Sequence, residues 1–159
     1  MQVTDLIRYN HVIRELYVDA MAKLPWAQVV EPRGLSFDSM RDVFLHLTLV
    51  DDRWINYIIP DRFKEWVDPD FAAFKDIGSL KKYVKAVECK TERYLATLSP
   101  DTLNRQISVP WGDKPDTHIS IEKGLTHMVL EDMIHYGELS AALWQSGLEA
   151  PYLGFWRFK

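Results

Sequence analysis

The sequence predicts an all-α protein: a four-helix bundle in a single domain, residues 1–159, with a short hairpin or extended loop before the last helix. Three observations lead there. Four long segments repeat apolar residues every three or four positions. Caps, prolines and glycines bound those segments where helices begin and end. Only one stretch, between the third and fourth segments, alternates polar with apolar residues as a strand does.

The first helix runs from about Asp5 to Leu24, with Thr4 or Asp5 placed to cap it. Leu6, Tyr9, Ile13, Leu16, Ala20 and Leu24 make its apolar stripe; Arg8, Arg14 and Glu15 fall off it, and His11 falls on a solvated face. Pro25 ends it, and Pro32 and Gly34 keep the following loop irregular. The second helix starts after Ser36, a natural N-cap, and reaches about Ile59 before Pro60. Phe37, Met40, Val43, Phe44, Leu47, Trp54, Ile55 and Ile58 cover more than one of its faces, which marks a helix central to its bundle.

Pro60 to Gly78 reads as a loop with one or two short turns. The third helix follows Ser79 and ends before Pro100. It buries Leu80, Val84, Val87, Tyr94 and Leu98 and leaves Lys81, Lys85, Glu88 and Glu92 outside. Gln106–Val109 and Thr117–Ile119 then alternate on either side of turn chemistry at Trp111–Pro115, with His118 in that loop. The fourth helix begins near Ser120 or Ile121 and runs to Gly147, the expected C-terminal glycine. Two long connections allow a crossover instead of a plain up-down order. The tail carries Tyr152, Phe155, Trp156 and Phe158, aromatic surface that must pack on the bundle or on a partner subunit.

Composition bounds the function. The chain is 47% hydrophobic and 13% aromatic, enough for a sizeable core, and its net charge of -4 offers no general attraction for nucleic acid. The densest basic cluster, Lys81, Lys82 and Lys85, reads as the wet face of a helix. No stretch approaches the roughly twenty apolar residues that cross a bilayer, so no membrane association is expected. The N-terminus lacks the apolar core of a signal peptide. The single cysteine, Cys89, can form no internal disulfide and has no acid–base partner nearby in sequence, so a reducing, cytoplasmic location is expected.

Chemistry concentrates on the fourth helix. His127, Glu131 and His135 stand four residues apart and share one face, among Leu125, Met128, Val129, Leu130, Ile134, Leu139, Leu143 and Trp144. A buried row of imidazole and carboxylate must be paired or bound to something, and a divalent ion in a nitrogen and oxygen site satisfies it. The outer members lie about 12 Å apart along the axis, too far to meet one ion. The usable pairs are His127 with Glu131, or Glu131 with His135. A further ligand must come from another helix, and His46, mid-way along the most buried one, is the best choice. Di-iron Glu-x-x-His pairs, the zinc-protease His-Glu-x-x-His, phosphate loops and nucleophile elbows are absent.

The segment from His127 to Leu139 resembles the signature helix of the DinB-like (DinB/YfiT-like) metalloprotein superfamily, whose common form reads roughly H-x-x-x-H-x-x-H-H-x-G-Q. The segment Met40 to Trp54 is similar to that family's first ligand helix, in which a histidine precedes an acidic stretch ending in tryptophan. The resemblance implies a four-helix bundle, often dimeric, with a three-ligand site for zinc, nickel or a similar ion. By position its ligands are His46, Glu131 and His135, while His127 orients Glu131 or a bound water. Glu131 stands where the common form has histidine, as in a subgroup similar to thiol-dependent maleylpyruvate isomerases and mycothiol transferases. Ile134 replaces a second histidine and Glu138 a glutamine.

The expected function is therefore a metal-dependent enzyme of the thiol S-transferase type, acting on a small-molecule substrate with a low-molecular-weight thiol. His127 is its catalytic base, with Asp51 as a weaker choice. A metal-dependent hydrolase is the alternative chemistry. A non-catalytic bundle with a structural ion, or an interaction protein, is the alternative class.

Overall fold

A computed structural model of the chain describes residues 2–110, 117–152 and 154–158. Four long helices dominate: α1 (Val3–Met21), α3 (Met40–Arg53), α4 (Ile77–Leu95) and α6 (Ile121–Gln145). The short helices α2 (Trp26–Val29) and α5 (Pro100–Asn104) lie in the connections. Strands β1 (Gln106–Ser108) and β2 (His118–Ser120) pair antiparallel, with Gln106 opposite Ser120. This is the expected hairpin; the turn expected at 111–115 lies outside the described residues. Two short 3₁₀ turns, Phe63–Glu65 and Phe71–Ala73, punctuate the long connection after α3. No helix among the described residues is long and apolar enough to cross a membrane.

Helix starts shift by two or three residues from the sequence reading, each for a capping reason. Gln2, ahead of Thr4 and Asp5, flanks α1, and the Asp5 carboxylate accepts its backbone N–H at 3.2 Å. Asp76 caps α4, and Ser79 is its reciprocal partner three residues in. Ser39, not Ser36, caps α3 by accepting the Asp42 N–H at 3.2 Å. A tight turn with Asp38 at φ 71° precedes it and frees Ser36 for another task. The last helix begins as expected, with Ser120 accepting from the Lys123 N–H, and Gly147 at φ 77° follows it.

α3 packs against α6 and α4, and α1 packs against the same two, so α1 and α3 face each other across the diagonal. Apolar side chains gather in two clusters. One joins Tyr17 and Met21 to Met40, Phe44, Leu80, Leu139 and Leu143. The other joins Val3 and Ile7 to Trp54, Ile58, Leu95, Ile121 and Leu125. α1 and α6 thus run from the second cluster to the first, and α3 and α4 run the opposite way. The order is up, down, down, up, and the connection from α3 to α4 must return the length of the bundle. That is a crossover of the kind the long connections allow.

Between the two clusters lies a seam of buried polar groups that the apolar stripe did not reveal. Arg14 is fully buried, not off the buried face, whereas Leu16 of the expected stripe is exposed. Arg14 Nη1 donates to Asp51 at 2.9 Å and Nη2 to Asp132 at 2.8 Å. Asn10 Nδ2 also donates to Asp132, and His11 meets Asp51 at 3.1 Å, so His11 is buried, not solvated. Glu88 of α4 is buried too, contrary to its expected place on the wet face, and burial pushes its carboxyl up. Burial pushes Asp51 up as well, but Arg14 and His11 overcome that and hold it down at about 2. Asp132, with Asp51 beside it, is pushed up by burial to about 8. One guanidinium between two carboxylates balances one of them fully.

Candidate metal centre

Antiparallel packing of α3 against α6 sets His46 opposite the polar row of the last helix. His46 Nε2 lies 3.0 Å from Glu131 Oε1, and His127 Nε2 lies 3.1 Å from Glu131 Oε2. Hydrogen bonds from His127 and then His46 outweigh burial and hold the Glu131 carboxyl far below the usual range, so it is ionised.

His46, Glu131 and His135 each offer a ligand atom, and those atoms lie within 4.8 Å of one another. Ligands about 2 Å from one ion stand a little over 3 Å apart in tetrahedral geometry. Small side-chain rotations therefore close the cluster around a divalent cation. The donor set fits: two imidazoles and a carboxylate suit zinc and nickel. No fourth histidine, cysteine or carboxylate joins the group among the described residues, which matches an open rather than a closed coordination shell.

The structure separates the three members of the α6 row. Side-chain exposure is 10% at His46, 11% at His135 and 22% at Glu131, but 52% at His127. The expectation of a buried row thus fails at its first member. His127 rests against the Trp54 ring, 5.5 Å between centroids, and holds Glu131 from the solvent side. Asp51 faces the interior seam with Arg14 and His11, so nothing supports it as a base here.

A network unseen in the sequence orients His135. Its Nδ1 stands 2.7 Å from Glu138 Oε2. Glu138 in turn accepts the Ser36 N–H at 2.9 Å and the Ser36 hydroxyl at 2.7 Å. Despite the cost of burial, Ser36 and His135 together hold the Glu138 carboxyl below its ordinary value. A carboxylate on Nδ1 fixes the tautomer that leaves Nε2 free for a ligand. Phe37, next along the same loop, stacks on His46 with ring centroids 3.9 Å apart and meets the edge of His135 at 5.6 Å. The loop before α3 is thus a wall of the site. Only the spacing of Glu138, one turn beyond His135, hinted at this in the sequence.

A cavity of about 500 Å³ opens beside His46. Phe37, Leu49, Pro69 and Phe71 form its apolar walls, and Arg53 and Asp68 are its charged residues.

No curated protein matches the chain. A profile of the DinB family matches residues 1–159, over a helical fold that carries a His/Glu/His cluster. The chain belongs to the DinB family.

Proposed function

We propose that this protein is a metal-dependent enzyme of the thiol S-transferase type, with zinc or nickel held by His46, Glu131 and His135. The observation that carries the reading is the clustering of three donors from two helices beside a cavity, with no fourth donor among the described residues. A divalent ion bound there supplies Lewis acidity that favours the ionised form of a thiol or water.

The protein's own residues supply the rest. Ser36 and Glu138 hold His135 in one tautomer. Phe37 excludes water from one side of His46. His127, exposed and anchored on Glu131, is the proton acceptor. In such a transfer the thiol gives up its proton and its sulfur bonds an electrophilic carbon. The electron pair displaced there then takes a proton back. The substrates are small molecules, one of them a low-molecular-weight thiol, and the exposed Cys89 agrees with a reducing cytoplasm.

The exposed apolar face of α6 supports a homodimer. Leu130, Ile134 and Trp144 are 60%, 70% and 60% exposed, and a second copy would cover them.

A thiol-transfer screen on the metal-loaded protein, with several cellular thiols and a generic electrophile, tests the reaction. Metal-dependent thioether formation is the expected result. Hydrolysis of ester or amide probes without thiol transfer would favour the hydrolase instead, and neither activity would leave a non-catalytic bundle.

A further inference from the structure

The loop that walls the metal centre is built as a piece of its own. The Arg33 N–H donates to Asp38 O at 2.8 Å, and the Asp38 N–H donates to Leu35 O at 3.0 Å. Gly34 at φ 66° and Asp38 at φ 71° supply the left-handed backbone that so tight a turn needs. Val29 before it and Ser39 after it are buried in the bundle. Residues 33–38 therefore hold their own shape between two fixed ends.

What this turn touches outside itself is the site. Ser36 gives both its N–H and its hydroxyl to Glu138, the carboxylate that orients His135. Phe37 lies on the ring of His46 and meets the edge of His135. We propose that residues 33–38 are a strap over the metal centre, latched by Ser36 on Glu138 and sealed by Phe37, which tightens when a divalent ion is held and sets how fast that ion leaves. This rests on the metal reading above and deepens it by assigning the control of the same site.

Two features let the strap open. Ser36 is exposed, so water competes for both latch bonds and local opening costs little. Phe37 also borders the cavity of about 500 Å³, together with Leu49 and Phe71, so its ring has apolar space to enter when it leaves His46. The link to the ion is geometric. Both rings on which Phe37 rests belong to the donor set. Once His46 and His135 are fixed by an ion, so are the seat of Phe37 and the Nδ1 that faces Glu138. The strap then closes on groups already ordered, and less freedom is lost when it does. Such coupling is reciprocal, so the closed strap strengthens the hold on the ion by the same factor.

Amide hydrogen exchange, read residue by residue with and without zinc, tests the latch. Zinc should slow exchange at the Ser36 N–H, which crosses to Glu138, and leave the Asp38 N–H, bonded within the turn, unchanged. Transfer of zinc to and from a chromogenic chelator tests the control. Release should be about tenfold faster in Ser36→Ala, the worth of one hydrogen bond to a charged group, and close to the wild-type rate in Ser36→Thr. Phe37→Ala should speed entry as well as release, because a seal opposes both. Zinc uptake with unchanged exchange at Ser36, or with equal slowing at Ser36 and Asp38, overturns the strap alone. So does a wild-type release rate in Ser36→Ala, or faster release without faster entry in Phe37→Ala. A chain that takes up no zinc overturns the metal reading and the strap with it.

Discussion

Glu131 answers to two imidazoles, one through each oxygen, and His135 answers to one carboxylate through Nδ1. These pairings give each residue a separable role. Removing the orienting carboxylate in Glu138→Ala should weaken metal affinity about 10- to 100-fold while the protein stays folded, as competition with a chromogenic chelator would show. Replacing His127 by Gln should leave metal content intact and lower turnover about 100-fold, the worth of a general base. Loss of the metal in that variant would make His127 a ligand instead. Helical spacing and apolar neighbours made His46 and the polar row around Glu131 legible in the sequence, and the family resemblance chose His135 over His127 within that row. Ser36 was not legible, because its bond to Glu138 joins residues 102 positions apart. The residue read as a cap turned out to belong to the site.

At the scale of elements, the polar seam ties α1, α3 and α6 together through one arginine. Arg14→Leu would leave Asp51 and Asp132 without the guanidinium they share, and should cost about 3–5 kcal/mol of stability in denaturant melts. The seam also sets a pH dependence. Asp51 is held below its ordinary 3.8, down to about 2, so the stability it confers is complete above the ordinary value and is lost as pH falls toward the lower one. Melting temperature should therefore drop between about pH 4 and pH 2, with a shallower drop in Asp51→Asn. A wild-type profile flat across that window would remove Asp51 from the seam's balance. α6 also closely meets Trp54, the residue that follows α3. A Cβ on Gly124 would stand 2.9 Å from the Trp54 ring, so Gly124→Ala should destabilise by about 1–3 kcal/mol. The helices themselves were legible because period and caps agree. The seam was not, since Asn10, His11 and Arg14 look like surface residues until Asp51 and Asp132 are brought to them from other helices.

On the scale of the whole molecule, the bundle presents two contrasting surfaces. One is the cavity beside His46; the other is the bare apolar face of α6 around Leu130, Ile134 and Trp144. If a second copy covers that face, Ile134→Glu should convert a dimer to a monomer by light scattering without lowering metal content; a monomeric wild type would leave the face unexplained by self-association. The up-down-down-up order was legible only as a permission, because long connections allow a crossover without requiring one. The two apolar clusters and their polar divide decide it.

The most direct measurement is the metal content of protein purified without an affinity tag, wild type beside His135→Ala. A divalent ion on His46, Glu131 and His135 predicts about one equivalent in the wild type and its loss in the variant. No metal in either protein, or equal metal in both, would contradict a centre at these residues.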